Sequence, residues 1–422
     1  MIQRKTISYS FEKKELANIK AKMLNWLRPF SIFAYLDNNE YAHQPNRYEL
    51  LIGAGALQTF SSIPEVNEDW LFGHIAYDYK NVVEPQLSSN LPSNIAFDDC
   101  KFFRPEIVIA IEHGSCTLNV YSTKAEPQDI LNQITNSVTT FNDVAFSETI
   151  QWHHFFTQDE YVNRVEQIRQ HIEEGDCYEL NFCTGAKTQV KINPVATFQK
   201  LNFLNPSPFA ALYRNNDNWL ICASPERFVY RNDQTIISQP IKGTARRSAD
   251  AVEDKAIKEA LLLDEKERAE NVMIVDLVRN DIAKSSEIGS VKVAELFGVY
   301  SFPQVHQLIS TVEGTIKEGV LNANIIDNAF PMGSMTGAPK VMVMELVEKF
   351  ERCRRNVYAG TIGYIAPTQD FDFNVVIRSL FYNEDTQVLS YQTGGAITYD
   401  SMPEQEWEEV RLKAKAMEQI FK

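Results

Sequence analysis

Residues Val357–Thr398 read VYAGTIGYIAPTQDFDFNVVIRSLFYNEDTQVLSYQTGGAIT. Three runs, Val357–Ile365, Phe371–Tyr382 and Val388–Thr398, are rich in β-branched and aromatic side chains, with short polar turns between them. Such side chains suit a pleated, half-buried surface, and short turns of this kind join antiparallel neighbours. Working back from this stretch, further strands are expected at Leu220–Ala223, Phe228–Arg231 and Thr235–Gln239, and a strand pair at Phe103–Ile111 and Ser115–Tyr121. Helices interrupt the strands without alternating with them. Thr157–Glu174 carries apolar residues Tyr161, Val165, Ile168 and Ile172 at helical spacing, and Thr157 with Glu160 makes a capping box. A long helical region covers about Asp250–Lys284, Pro127–Thr140 reads as a surface helix, and a last helix spans about Pro403–Phe421. Strand runs broken by separate helices predict an α+β fold with one integrated body. Residues 1–145 form its N-terminal region and residues 150–422 its catalytic part.

The chain has 422 residues and a net charge of −15, which argues against nucleic-acid binding through a basic face. An anionic substrate would need local cations on so acidic a protein. The six cysteines are scattered, with no CxxC pair and no zinc spacing, and read as small buried residues in a reducing compartment. No apolar h-region opens the N-terminus and no run reaches the length of a membrane span, so a cytoplasmic protein is expected.

Two helices carry paired acids. In DEKERAENVMIVDLVRND, Glu267 and Glu270 share a face, although Asp264 and Glu267 also form a plausible capping box. In SMPEQEWEEVRLKAKAMEQIF, Trp407, Val410, Ala414, Met417 and Phe421 make a core stripe. Glu406, Glu409 and Lys413 run beside it, and on spacing alone a solvated face with a Glu409–Lys413 pair is preferred. If the two helices meet, their carboxylates make a site for a hard cation such as Mg2+.

The segment SQPIKGTARR places Lys242 beside Gly243 and Thr244 in a turn, near Arg246 and Arg247. Nearby cations favour the neutral amine, which can act as a nucleophile. Glu226, in SPERF, reads alone as a surface carboxylate. TGGAI at 393–397 offers either backbone donors or a plain glycine turn. Arg378 among apolar neighbours is either in a salt bridge or a carboxylate ligand. Tyr358 is a packing aromatic or a hydroxyl donor, and His306 by itself reads as a core histidine. FPMGSMTGAPK fails the spacing of a nucleotide-binding P-loop.

Taken together, SPERF, PIKGTARR, DEKERAENVMIVDLVRNDI, VHQLISTVEG, FPMGSMTGAPK, RNVYAGTIGY, VVIRSL and QTGGAITYDSMPEQEWEEVRLKA resemble the chorismate-utilising family. That family includes anthranilate synthase component I, aminodeoxychorismate synthase component I and the isochorismate and salicylate synthases. The resemblance runs from about Glu160 to Met417. It implies two antiparallel sheets packed as a sandwich with helices outside. It implies Mg2+ held by Glu270 and Glu409, with Glu267 and Glu406 behind them through water. Chorismate contacts are implied at Gly243, Thr244, His306, Tyr358, Arg378, Gly394, Gly395, Ala396 and Lys413. Lysine in PIKGT is similar to the aminodeoxychorismate synthases, where anthranilate synthases usually carry alanine. The implied chemistry has Lys242 attack C2 of chorismate, with Glu226 as general acid and base. With no glutaminase pattern around any cysteine, ammonia is expected from a partner glutamine amidotransferase. NPSPFAA resembles a segment lining a tryptophan pocket in some relatives, at Pro208, Phe209 and Ala210. Anthranilate synthase component I and the isochorismate or salicylate synthases are the alternatives.

Overall fold

The computed structural model describes residues 3–42, 45–139, 150–302 and 305–421. Among them, twelve strands form one sheet and ten a second, and every pairing is antiparallel. Strand alternation builds the layers. In Ile32–Asp37, Ile32 and Ala34 enter the core shared by the two sheets, while Phe33 and Tyr35 face the opposite way. That opposite face is covered by the helices Leu16–Leu27, Pro127–Asn136 and Pro194–Leu204. Both faces of the larger sheet are therefore dry at its centre, where strands such as Ile32–Asp37 and Tyr48–Ala54 are buried almost throughout. The result is the expected α+β sandwich with helices outside.

The N-terminal strands belong to both sheets. Ile32–Asp37 pairs with Phe209–Asn215, and Leu71–Ile75 pairs with Thr361–Ile365. The expected boundary near residue 145 lies outside the described residues, as does the end of the predicted helix at Thr140. Two strand predictions divide. Phe103–Ile111 breaks at Pro105 into Cys100–Arg104 and Ile107–Glu112, which lie in different sheets. Phe371–Tyr382 breaks into Phe371–Asn374 and Ser379–Asn383, with Arg378 between them at φ 50°. The first predicted run shortens to Thr361–Ile365. The helical region divides as well, into Ala251–Leu263 and Glu265–Ser285. Asp264 separates them by accepting the Glu267 N–H as an N-cap.

Gln158–Glu173 starts on the predicted capping box, with Thr157 and Glu160 bonded reciprocally. Its buried Tyr161 stacks on Phe182 at 4.9 Å and tilts against Trp407 at 5.4 Å. These rings dock the last helix, Pro403–Glu418, onto the strand Glu179–Gln189 and its neighbour Val388–Ile397. Among the described residues no helix is long and apolar enough to cross a membrane.

Candidate active site

Two glycines let the acidic helices approach the sheets. Gly243 has φ 91°, and a Cβ there would lie 3.0 Å from Glu267 Oε2. A Cβ on Gly395 would lie 3.3 Å from Glu406 Oε2 and 3.8 Å from Glu409 Oε1. The carboxylates of both helices thus lie against these glycines, and at Gly243 the backbone conformation itself favours glycine. The structure thus sets Glu267 and Glu270 from one helix facing Glu406 and Glu409 from the other. Lys242 and Lys266 act electrostatically on both sets, and Glu267 is within range of the Glu409 charge.

The solvated-face reading fails for Glu406. It is 6% exposed and accepts a hydrogen bond from Ser401 Oγ at 2.7 Å. It holds for the Glu409–Lys413 pair, at 2.7 Å and half exposed, yet Lys413 also donates to the Gly394 carbonyl at 2.8 Å. Burial pushes the Glu270 carboxyl up to about 7, with Lys242 opposing and Glu179 and Glu267 adding to the rise. Burial also raises Glu267 and Glu406. Burial acts to raise Glu409 too, but Lys413, Lys266 and Lys242 outweigh it and bring it below its usual range. Crowded carboxylates raised in this way are stabilised by a hard divalent cation with oxygen ligands, so the donor set fits Mg2+. No three of these four carboxylates bring oxygens within 4.8 Å of one another, which leaves room for water between ligand and ion.

Lys242 lies on the strand Ile241–Arg246 rather than in a turn. Its side chain is 10% exposed, and Nζ donates to Glu179 Oε1 at 2.7 Å. The expectation that Arg246 and Arg247 keep this amine neutral is overturned. Arg247 is spent on Asp254 at 2.7 Å, and Arg246 is exposed. Burial acts to lower the Lys242 amine, but Glu179, Glu270 and Glu226 outweigh it and hold it above the usual lysine value. The resting lysine is a buried ammonium.

Glu226 is no surface carboxylate. It is 4% exposed and accepts from Ser334 Oγ at 2.6 Å. Burial pushes it up to about 7 against the pull of Ser334, Lys242 and Arg378. It can therefore carry a proton near neutrality. Arg378 is partly buried and makes no hydrogen bond or ion pair from its guanidinium among the described residues. Burial pulls it below the usual arginine range, and Glu226 opposes that pull. The Arg378 backbone is left-handed, at φ 50°. Of the two sequence readings for Arg378, the structural salt bridge is excluded among the described residues.

Gly394, Gly395 and Ala396 form no turn. They pair with Cys183, Phe182 and Asn181 inside the strand Val388–Ile397. Pairing on the other side stops at Tyr391, so beyond it alternate backbone groups point away from the ladder. Tyr358 is 3% exposed, and its hydroxyl is held against the Cys183 thiol. Thr244 is exposed beside Lys242. His306 gives no support to a ligand role in this conformation: its two nitrogens meet Ser301 Oγ at 2.9 Å and Asp254 Oδ1 at 3.0 Å. Pro208, Phe209 and Ala210 line a separate cavity of about 60 Å³, together with Asp37, Asn38, Tyr48 and Asp372.

Glu179 and Ser334 escaped the sequence reading. Glu179 is wholly buried, and its second oxygen, Oε2, makes no hydrogen bond. The signal was available in CYELNFCTG, an acid inside an otherwise apolar strand run, where an unpaired carboxylate is costly. Ser334 lies in FPMGSMTGAPK and gave no comparable sign.

The comparisons with known proteins agree with this geometry. The chain is 37% identical over 266 residues to aminodeoxychorismate synthase component 1 of Bacillus subtilis, a match covering 63% of this chain and 56% of that protein. It is 32% identical over 363 residues to anthranilate synthase component 1 of Aquifex aeolicus, covering 82% of this chain and 73% of that one. Anthranilate synthase component I from Streptococcus pneumoniae superposes with a TM-score of 0.75 at 24% identity, over 99% of this chain and 93% of that chain. The isochorismate synthase MenF of Escherichia coli gives 0.78 at 18% identity, over 100% and 95%, and shares the fold. The family model described as chorismate binding enzyme matches residues 11–419, and the chain belongs to that family.

Proposed function

We propose that the chain aminates chorismate at C4, giving 4-amino-4-deoxychorismate, as an aminodeoxychorismate synthase component I. The observation that carries this reading is the enclosed Lys242 amine, with Glu226, Glu267, Glu270 and Glu409 in electrostatic range. The similarity to the Bacillus protein of that name supports it, although that match spans little more than half of the relative's length.

Lys242 attacks C2 as nucleophile, and Glu226 protonates the departing C4 hydroxyl and later receives a proton from the incoming ammonia. Dividing one difficult substitution in this way gives two easier ones. Glu270 and Glu409 would hold Mg2+, with Glu267 and Glu406 behind them. The ion supplies a hard positive centre for the ring carboxylate of the substrate. Gly394, Gly395, Ala396 and Lys413 support the same carboxylate. Arg378 and Tyr358 take the pyruvyl carboxylate, which suits an unmatched guanidinium. Gly243 and Thr244 border the ring. Ammonia comes from a glutamine amidotransferase partner, and the product retains its enolpyruvyl group. The cavity at Pro208, Phe209 and Ala210 is the candidate tryptophan pocket.

A second reading, anthranilate synthase, is favoured by the Aquifex relative, which matches more of the chain. Lys242 argues against it. Incubation with chorismate alone should yield a covalent adduct by intact-protein mass spectrometry, and Lys242→Ala should abolish it. Glu270→Gln should abolish Mg2+-dependent turnover. Release of fluorescent anthranilate from chorismate and ammonium would favour the second reading.

A further inference from the structure

We infer that Glu179 is the proton acceptor that turns Lys242 from an ammonium into a nucleophile. The inference rests on the proposed role of Lys242 and goes beyond it. A charged lysine has no lone pair for carbon, so one proton must leave Nζ before the bond to C2 can form. Glu270 and Glu226 act on Lys242 through their charge, but Nζ donates its hydrogen bond to Glu179 Oε1, at 2.7 Å. That distance is within direct proton-transfer reach.

The surroundings of Glu179 suit this role better than that of a passive anchor. A carboxylate has about four acceptor sites, and here Oε1 receives Lys242 while the enclosed Oε2 receives nothing. Two buried charges become two neutral groups when the proton crosses, which relieves the burial of charge. The carboxylate is also fixed in place. Glu179 and Leu180 pair with Ala338 and Gly337. At Gly337, with φ 141°, a Cβ would stand 2.0 Å from the Glu179 carbonyl oxygen. The backbone beneath Glu179 is thus seated against a position that only glycine can fill.

The protons balance over a full cycle. Nζ gives a proton to Glu179, and its freed lone pair forms the bond to C2. The ring double bonds shift, the C4–O bond breaks, and the oxygen leaves as water with the proton of Glu226. The lysine nitrogen is then a secondary ammonium. Ammonia forms a bond to C4, the C2–Nζ bond breaks, and its electron pair returns to lysine as a neutral amine. Glu226 takes a proton from the new C4 ammonium, and Glu179 returns its proton to Lys242. Chorismate and ammonia have become the amino product and water, with both carboxyls restored.

The test uses the full chain with chorismate and no ammonia, following adduct formation by mass spectrometry. Glu179→Gln should slow the adduct by about 100-fold or more, the usual range for loss of a proton acceptor. The chorismate concentration giving half the maximal rate should stay within about twofold of wild type, because Glu179 acts on Nζ rather than on the ring. In Glu179→Ala, added formate should restore the rate while chloride at equal ionic strength does not. Should the glutamine variant fail to fold, the formate titration of the alanine variant decides alone. An adduct formed by Glu179→Gln at the wild-type rate, or an alanine variant indifferent to formate, overturns the inference. Absence of any adduct on the wild-type protein is a different result, which removes the proposed function itself.

Discussion

Two buried lysines, Lys242 and Lys340, show how the same ion pair can be built to last or built to change. Lys340 meets Asp281 Oδ2 at 2.6 Å and also lies 3.4 Å from the Ala329 carbonyl. The other Asp281 oxygen receives Lys284 at 3.2 Å, so both oxygens are satisfied. Lys242 meets Glu179 at 2.7 Å, and the second Glu179 oxygen has no partner. The arginines repeat the contrast. Arg355 grips both oxygens of Glu351 and the carbonyls of Met335 and Asn181. Arg378 grips nothing among the described residues and has a left-handed backbone. Arg355 and Lys340 are matched on every side, whereas Glu179 and Arg378 leave polar atoms unmatched among the described residues beside the candidate site.

The contrast can be broken most decisively at Lys340. Lys340→Ala leaves Asp281 buried with only Lys284, and should lower unfolding free energy by about 3 kcal/mol in denaturant titration. Affinity for chorismate should survive at temperatures where the variant remains folded. An unchanged denaturation midpoint would show that this pair is as idle as the contrast says Lys242 is not. Arg378→Leu should do the reverse. Its stability should match or exceed wild type, because no partner is orphaned, while chorismate affinity falls roughly 10- to 100-fold, about 1.4–2.8 kcal/mol. A large loss of stability without loss of affinity would make Arg378 structural.

The smallest effect concerns pH. The folded-state value of Glu226 stands at about 7, above its unfolded 4.5. Stability from protonated Glu226 is therefore complete below about pH 4.5 and is lost as pH rises through 7. Glu226→Gln should remove that loss, narrowing the stability difference between pH 5 and pH 8 by about 1–2 kcal/mol in paired melts. It should also remove the decline in adduct formation above neutrality, along with most of the rate. A pH dependence identical to wild type would place the titrating group elsewhere.

Much of this was legible in the chain itself. The core stripe of the last helix, the Thr157 cap and the antiparallel returns after residue 357 all follow from local pattern, because spacing alone determines which side chains share a face. The breaks at Pro105 and at Arg378 are tertiary. Each strand there leaves one sheet for another, and apolar composition is the same on both sides of the step. The surroundings expected for Lys242 differ from those the structure gives it. Arg246 and Arg247 lie only four and five residues further on, but the first is exposed and the second is paired with Asp254, and the partner that matters arrives from Glu179. Glu406 was misjudged because helical spacing cannot reveal that a glycine strand lies against it.

The interleaving of the two ends of the chain carries a kinetic cost. The Asn356 N–H is bonded to Asp78 Oδ2, 278 positions away, and Leu71–Ile75 completes its edge only when Thr361–Ile365 arrives. During synthesis the early strands must wait with open edges until most of the polypeptide has been made. Folding of so non-local a topology is slow, and those waiting edges are where chaperones, or neighbouring nascent chains, would bind first.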